Sequence, residues 1–222
     1  MDSGAVTVAR TGTARGELVL RESGGHYEVI SNGVFLMDTR AGESERLLVR
    51  AALQAVPPGA RLLIGGLGVG FSLAEAVSST RAAEIVVVEI EPALVGWHRD
   101  HLAPFSAGAL GDPRVRVVTA DIAAWLRDTD ERFDAICLDV DNGPDWTVFD
   151  ANAELYAGDG LALLRSRLAP GGVLAVWSAS ASPAYAQRLA AAVGPVRTLA
   201  VEVARGEPDV VYLARHEVEN PV

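Results

Sequence analysis

Lysine is absent: all 19 basic side chains of the 222-residue chain are arginine. A lysine Schiff base and a lysine general base are therefore excluded, as is the Tyr-x-x-x-Lys pair of many nicotinamide oxidoreductases. Cysteine is reduced to Cys137, inside the apolar run Phe133 to Leu138. One thiol can form neither an internal disulfide nor a cysteine-rich metal site, so a buried, inert thiol is expected, and no metal. No apolar run approaches the roughly 20 residues of a membrane-spanning helix. The opening MDSGAVTVARTGTARGE lacks the apolar centre of a secretory signal, so a cytoplasmic protein without a membrane partner is expected. Positive charge is also scarce, with 29 acidic residues and a net charge of −10. Without a basic cluster to neutralise phosphates, nucleic acid is excluded as a partner, and a small-molecule amine or other cationic substrate suits the field.

What is present reads as one α/β core. Residues 17 to 39 alternate around the turns Ser23-Gly24-Gly25 and Ser31-Asn32-Gly33, which predicts a small antiparallel cap. Helical spacing follows over 43 to 56, ended by Pro57-Pro58-Gly59. This divides the chain into a cap with its helix, 1–56, and a main domain, 57–222. In the main domain, extended runs at 61–65, 84–90, 115–119, 133–139 and 171–178 alternate with helical patterns at 69–78, 92–103, 121–128 and 158–169. The expected fold is a doubly wound, mostly parallel Rossmann-like sheet of the methyltransferase type. A helix near 183–193 and strands near 196–204 and 209–215 would close it with an antiparallel hairpin.

Open parallel sheets bind ligands beyond the carboxyl ends of their strands, and chemistry-bearing residues cluster there. The first strand of the main domain runs into Gly65-Gly66-Leu67-Gly68-Val69-Gly70, a turn that lets backbone approach a ligand and opens a helix N-terminus. Its spacing lacks the later third glycine of dinucleotide folds. The second strand ends in Glu89-Ile90-Glu91-Pro92, about 20 residues on, where a carboxylate accepts hydrogen bonds from a ribose diol. Glu89 is the candidate ribose ligand and has no other evident duty. Asp121, followed by Ile122, either contacts an adenine amino group or caps the next helix. The fourth strand leads to Asp139 and Asp141, the start of six acids (139, 141, 145, 150, 154 and 159) without an intervening base. A carboxylate there can orient and deprotonate an amine.

With these motifs in order, residues 16 to 178 resemble the spermidine synthase-like family of adenosylmethionine-type transferases. The resemblance runs through the cap, the glycine turn, Val88-Glu89-Ile90-Glu91, Ala120-Asp121 and Phe133 to Asp139. It implies that Gly65, Gly66, Gly68, Gly70, Glu89, Ile90, Asp121, Ile122 and Asp139 hold the adenosyl ligand. It also implies that Asp139, with Asp141 beside it, is the catalytic carboxylate. Family aminopropyltransferases carry an acid inside the turn, facing the amino group of decarboxylated adenosylmethionine; this chain has Gly68 there. Where members grip polyamines with acids and a tyrosine, this chain has Ala41-Gly42-Glu43-Ser44-Glu45 without tyrosine.

The leading expectation is therefore group transfer, most simply methyl, from intact S-adenosylmethionine to an amine-bearing small molecule. Aminopropyl or aminocarboxypropyl transfer, the former from the decarboxylated ligand, is the alternative. A non-catalytic adenosyl-ligand binder is the third reading. A homodimer is compatible with all three.

Overall fold

The computed structural model describes residues 4–147, 150–204 and 206–217. Four strands, β1 (Val6–Thr13), β2 (Gly16–Ser23), β3 (His26–Ser31) and β4 (Val34–Asp38), form an antiparallel sheet in sequence order. β1 extends the cap predicted over 17–39. Its Val and Thr residues favour extension, but they are mostly exposed, so no buried alternation announces the strand.

After α1 (Glu43–Gln54), the elements are β5 (Ala60–Gly65), α2 (Phe71–Ser78), β6 (Ala82–Glu89), α3 (Pro92–Trp97), β7 (Val115–Thr119), α4 (Ile122–Asp128) and β8 (Phe133–Leu138). The chain ends with α5 (Gly158–Ser166), β9 (Leu168–Ser178), α6 (Pro183–Ala192), β10 (Val196–Val201) and β11 (Asp209–Arg215). The second sheet has the order β10-β11-β9-β8-β5-β6-β7. Strands β5 to β9 run parallel, while β11 and β10 close the edge antiparallel. The doubly wound, mostly parallel architecture with its small β cap is as the sequence indicates.

Each face of the large sheet buries its own apolar layer. Leu62, Ile64, Val87, Cys137 and Val211 pack under α1 and α2, and Leu63, Val86, Ile136, Leu174 and Tyr212 under α4, α5 and α6. Continuous apolar strands are what burial on both faces requires. A third cluster joins Leu20 and Val29 of the cap to Phe71, Leu94 and Leu102, so the cap is packed onto the ends of α2 and α3.

The helix expected over 92–103 stops at Trp97. The chain then turns tightly, with the Leu102 N–H donating to the Trp97 carbonyl at 2.8 Å. The turn places His98 Nε2 3.0 Å from the Gly68 carbonyl and Phe105 edge-on against Tyr27. Among the described residues, no helix is long and apolar enough to cross a membrane.

Candidate active site

Alternation along the strands decides which side chains reach one place. Val87, Cys137, Trp177 and Val211 all pack toward α1 and α2, and residues two apart on a strand share a face. Glu89, Asp139 and Asp209 therefore fall on that same face. Because β11 runs opposite to β9, its first residue lies at the sheet edge where the parallel strands end. Asp209, Trp177, Asp139 and Glu89 thus form a row along the carboxyl edge.

A cavity opens between this edge and the cap. Its wall includes Arg15, Leu18, Ser31, Leu36 and Met37 from the cap, Glu45 from α1, the turn Gly66 to Phe71, and Val88 to Glu91. Ala120 to Ile122, Asp139 to Asp141, Asn152 and Trp177 complete it. Of the predicted site residues, Gly66, Gly68, Gly70, Glu89, Ile90, Asp121, Ile122, Asp139 and Asp141 all stand in this wall; Gly65 does not. The side chain of Asp150, from the predicted acidic run, lies outside the described residues.

The glycines have different reasons to be glycine. Gly66 has φ of 91°, and a Cβ there would collide with the Asp139 carbonyl, so this residue lets the turn rest against the end of β8. Gly68 has φ of 52° and faces the cavity, where a Cβ would meet only Met37 Sδ at 3.6 Å. Gly68 alone of the two leaves room open toward the cap.

Glu89 has a structural duty that its sequence position does not reveal. Oε2 accepts from the Leu67 N–H at 2.8 Å and Oε1 from the Glu91 N–H at 2.7 Å, clamping the glycine turn to the end of β6. Burial raises its proton affinity, and those two N–H donors oppose the rise. Each carboxylate oxygen still has a second lone pair for a ligand hydroxyl. Asp121 caps α4, with Oδ1 accepting from the Ala124 N–H at 2.8 Å. Asp121 also lines the cavity, so one carboxylate can meet both readings.

Asp139 receives a hydrogen bond from Ser72 Oγ at 3.1 Å. Burial, followed by the charges of Glu45, Asp209 and Glu89, pushes its carboxyl up to about 7 against the pull of Ser72. A carboxylate tuned to neutral pH suits proton transfer. Asp141 is buried in the same wall.

Sequence reasoning missed Ser72, Trp177 and Asp209 altogether, and named Glu45 only within the stretch Ala41 to Glu45. The signal for Trp177 and Asp209 was the two-residue alternation of β9 and β11. For Ser72 it was a polar residue in the buried first turn of α2. Trp177 Nε1 is buried without a hydrogen-bond partner among the described residues, a donor available to a ligand.

A parallel Rossmann-like sheet with a glycine turn, an acidic cleft at its carboxyl edge and a β cap over the cleft defines the class of protein. The chain belongs to the spermine/spermidine synthase domain family, whose model matches residues 43–194. It is 36% identical to polyamine aminopropyltransferase 1 of Streptomyces coelicolor over 60% of this chain and 24% of that protein. Identity to the polyamine aminopropyltransferase of Mycobacterium tuberculosis is 33% over 78% of this chain and 33% of that protein. The chain thus spans a quarter to a third of the length of these relatives. Its fold matches a spermidine synthase solved with the transition-state analogue AdoDATO, with TM-score 0.77 and 16% identity over 96% of this chain and 73% of that one.

Proposed function

We propose that the protein transfers the aminopropyl group of decarboxylated S-adenosylmethionine to a small amine. The observation that carries this reading is the charge of the cavity wall. Six carboxyl side chains (Glu45, Glu89, Glu91, Asp121, Asp139 and Asp141) face one guanidinium, Arg15. Such a wall attracts a donor that carries a sulfonium and an ammonium and an acceptor that is itself an amine. The carboxylate of intact adenosylmethionine would enter among six others, which Gly68 does not relieve. The relatives, named as polyamine aminopropyltransferases, support the same choice. Methyl transfer, the leading expectation from the sequence, finds no support in them.

In the reaction, the neutral acceptor nitrogen attacks the aminopropyl carbon bonded to sulfur. The new N–C bond forms as the C–S bond breaks, and its electron pair neutralises the sulfonium, releasing methylthioadenosine. The proton lost from nitrogen passes to the Asp139 carboxylate. Glu89 would receive the ribose hydroxyls and Asp121 the adenine amino group, with Ile90 and Ile122 beside the nucleoside. Among the described residues, the cap with α1 acts as the lid half of the site and the main domain as its floor.

The test is to incubate the protein with decarboxylated adenosylmethionine and a panel of diamines and to quantify methylthioadenosine. Stoichiometric methylthioadenosine and elongated amine are expected. Methylated amine with adenosylhomocysteine would overturn the reading in favour of methyl transfer, and binding without any product would leave an adenosyl-ligand binder. Because Asp139 must be ionised to accept the proton, turnover is expected to rise about tenfold per pH unit below about 7 and to level off above it. A flat profile from pH 5 to 8 would remove Asp139 as the titrating base.

The two duties of Asp121 can be separated. Asp121→Ala is expected to destabilise the protein by about 1 kcal/mol through loss of the cap. Asp121→Ser should restore melting temperature but leave nucleoside affinity about tenfold weaker, the scale of one hydrogen bond to a charged group. Full affinity in the serine variant would reduce Asp121 to a capping residue.

A further inference from the structure

Where α1, β8 and β11 converge, three carboxyls meet with two serines between them. Ser44 Oγ lies 2.8 Å from Glu45 Oε2 and 2.7 Å from Asp209 Oδ2. A hydroxyl carries one hydrogen, so it can donate to only one of these oxygens. The other contact is attractive only when that carboxyl brings its own proton and donates it to Oγ. Ser44 is buried, at 4% exposure, so the geometry is imposed from all sides. Ser72, on α2, is placed differently: its Oγ lies 3.1 Å from Asp139 Oδ2 and 3.3 Å from the backbone carbonyl of Glu45, which can only accept. Ser44 thus links the carboxyls of Asp209 and Glu45, while Ser72 stands between Asp139 and the Glu45 backbone rather than its carboxyl.

We propose that Asp209 is a positioning residue of this site: through Ser44 it shares one proton with Glu45, and so fixes the place and charge of the α1 carboxyl in the cavity wall. Asp209 itself is not part of that wall. What an incoming ammonium meets beside Asp139 is then a carboxyl pair held in one geometry with one charge. The consequence for acceptor binding rests on the transferase reading; the shared proton does not.

The surrounding groups agree. Around Asp139 stand Glu45 from α1, Ser72 from α2, Glu89 from β6, Cys137 from its own strand, Asp209 from β11 and the buried Tyr156 hydroxyl. The cation acting on Glu45 is Arg46, whose guanidinium sits 4.9 Å over the Phe71 ring. Burial raises the proton affinity of Glu45 and of Asp209, and the Ser44 hydroxyl opposes the rise in both. The folded state therefore holds protons that the unfolded chain releases. Stability should be fully present below the ordinary carboxylate range, near pH 4, and decline as pH rises toward about 7.

The experiment combines thermal melts from pH 5 to 8 with steady-state kinetics on a diamine, using the full chain. Asp209→Asn keeps the shape and the contact to Ser44 but removes one acid and one like-charged neighbour. Its melting temperature is expected to fall less than the wild type's over that range. Its KM for the amine should rise about 3- to 10-fold, the scale of one disturbed polar contact, with kcat little changed. Ser44→Ala should raise KM similarly, and the double variant should be no worse than either single one, because both act through one contact. An Asp209→Asn variant with the wild-type pH slope, or with wild-type KM, overturns the proposal. If the slope flattens as expected but the wild type yields no methylthioadenosine with any amine, the transferase reading falls while the shared proton stands.

Discussion

Asp139→Asn is expected to lower turnover by roughly 10²- to 10⁴-fold, the usual cost of losing a general base, while leaving donor affinity close to wild type. The side chain follows a strand buried at every position but Asp134 and accepts from Ser72. Asparagine can keep that hydrogen bond and the shape but cannot take a proton. Because the native carboxyl is raised toward 7 by burial and like charges, the neutral amide should stabilise the fold at pH 8, where the wild type must hold a buried charge. Loss of activity together with a gain in melting temperature at high pH is an outcome that a purely structural role cannot produce. Near-normal turnover in a folded Asn variant would remove Asp139 from proton transfer.

Glu89→Ala should damage stability and binding together. Truncation leaves the Leu67 and Glu91 N–H groups buried without their acceptor, at about 1–3 kcal/mol each. For a chain of this size that is a drop of several degrees in melting temperature. It also frees the glycine turn from β6, so nucleoside affinity is expected to fall about 10- to 100-fold by titration calorimetry. Glu89→Gln retains one acceptor oxygen and should lie between the two. An Ala variant with unchanged melting temperature would refute the clamp; one with unchanged affinity would refute the ribose assignment.

Much of this site was legible because it is local in sequence. A strand followed by glycines, and strands ending in Glu89, Asp121 and Asp139, can be read from period and spacing, since parallel strands deliver their last residues to one edge. Asp209 was not legible in this way. It meets Ser44 across 165 residues of chain, and that contact depends on β11 being inserted antiparallel beside β9. Glu89 shows a different limit: its spacing marked it as a ligand, while its bonds to Leu67 and Glu91 could appear only once the turn was folded. The early end of α3 was hidden because no glycine or proline follows Trp97 before Pro104, while tertiary contacts of His98 and Phe105 override the helical pattern. β1 escaped because exposed strands carry little apolar alternation.

Cys137 lies on β8 with β5 on one side and β9 on the other, fully buried, and burial pushes its thiol far above the usual range. A thiol reagent can reach it only when α1 lifts from the sheet, because the sulfur packs against the Leu48 carbonyl of that helix. Local openings of the cap strands, or of the loop after Asp139, leave α1 seated and the sulfur covered. The rate at which an alkylating probe modifies this chain therefore reports displacement of α1, the helix that carries Glu45 into the cavity wall, from the sheet. A ligand that binds the folded cavity should slow labelling in proportion to its occupancy, so a single native thiol provides a binding assay that requires neither turnover nor an engineered label.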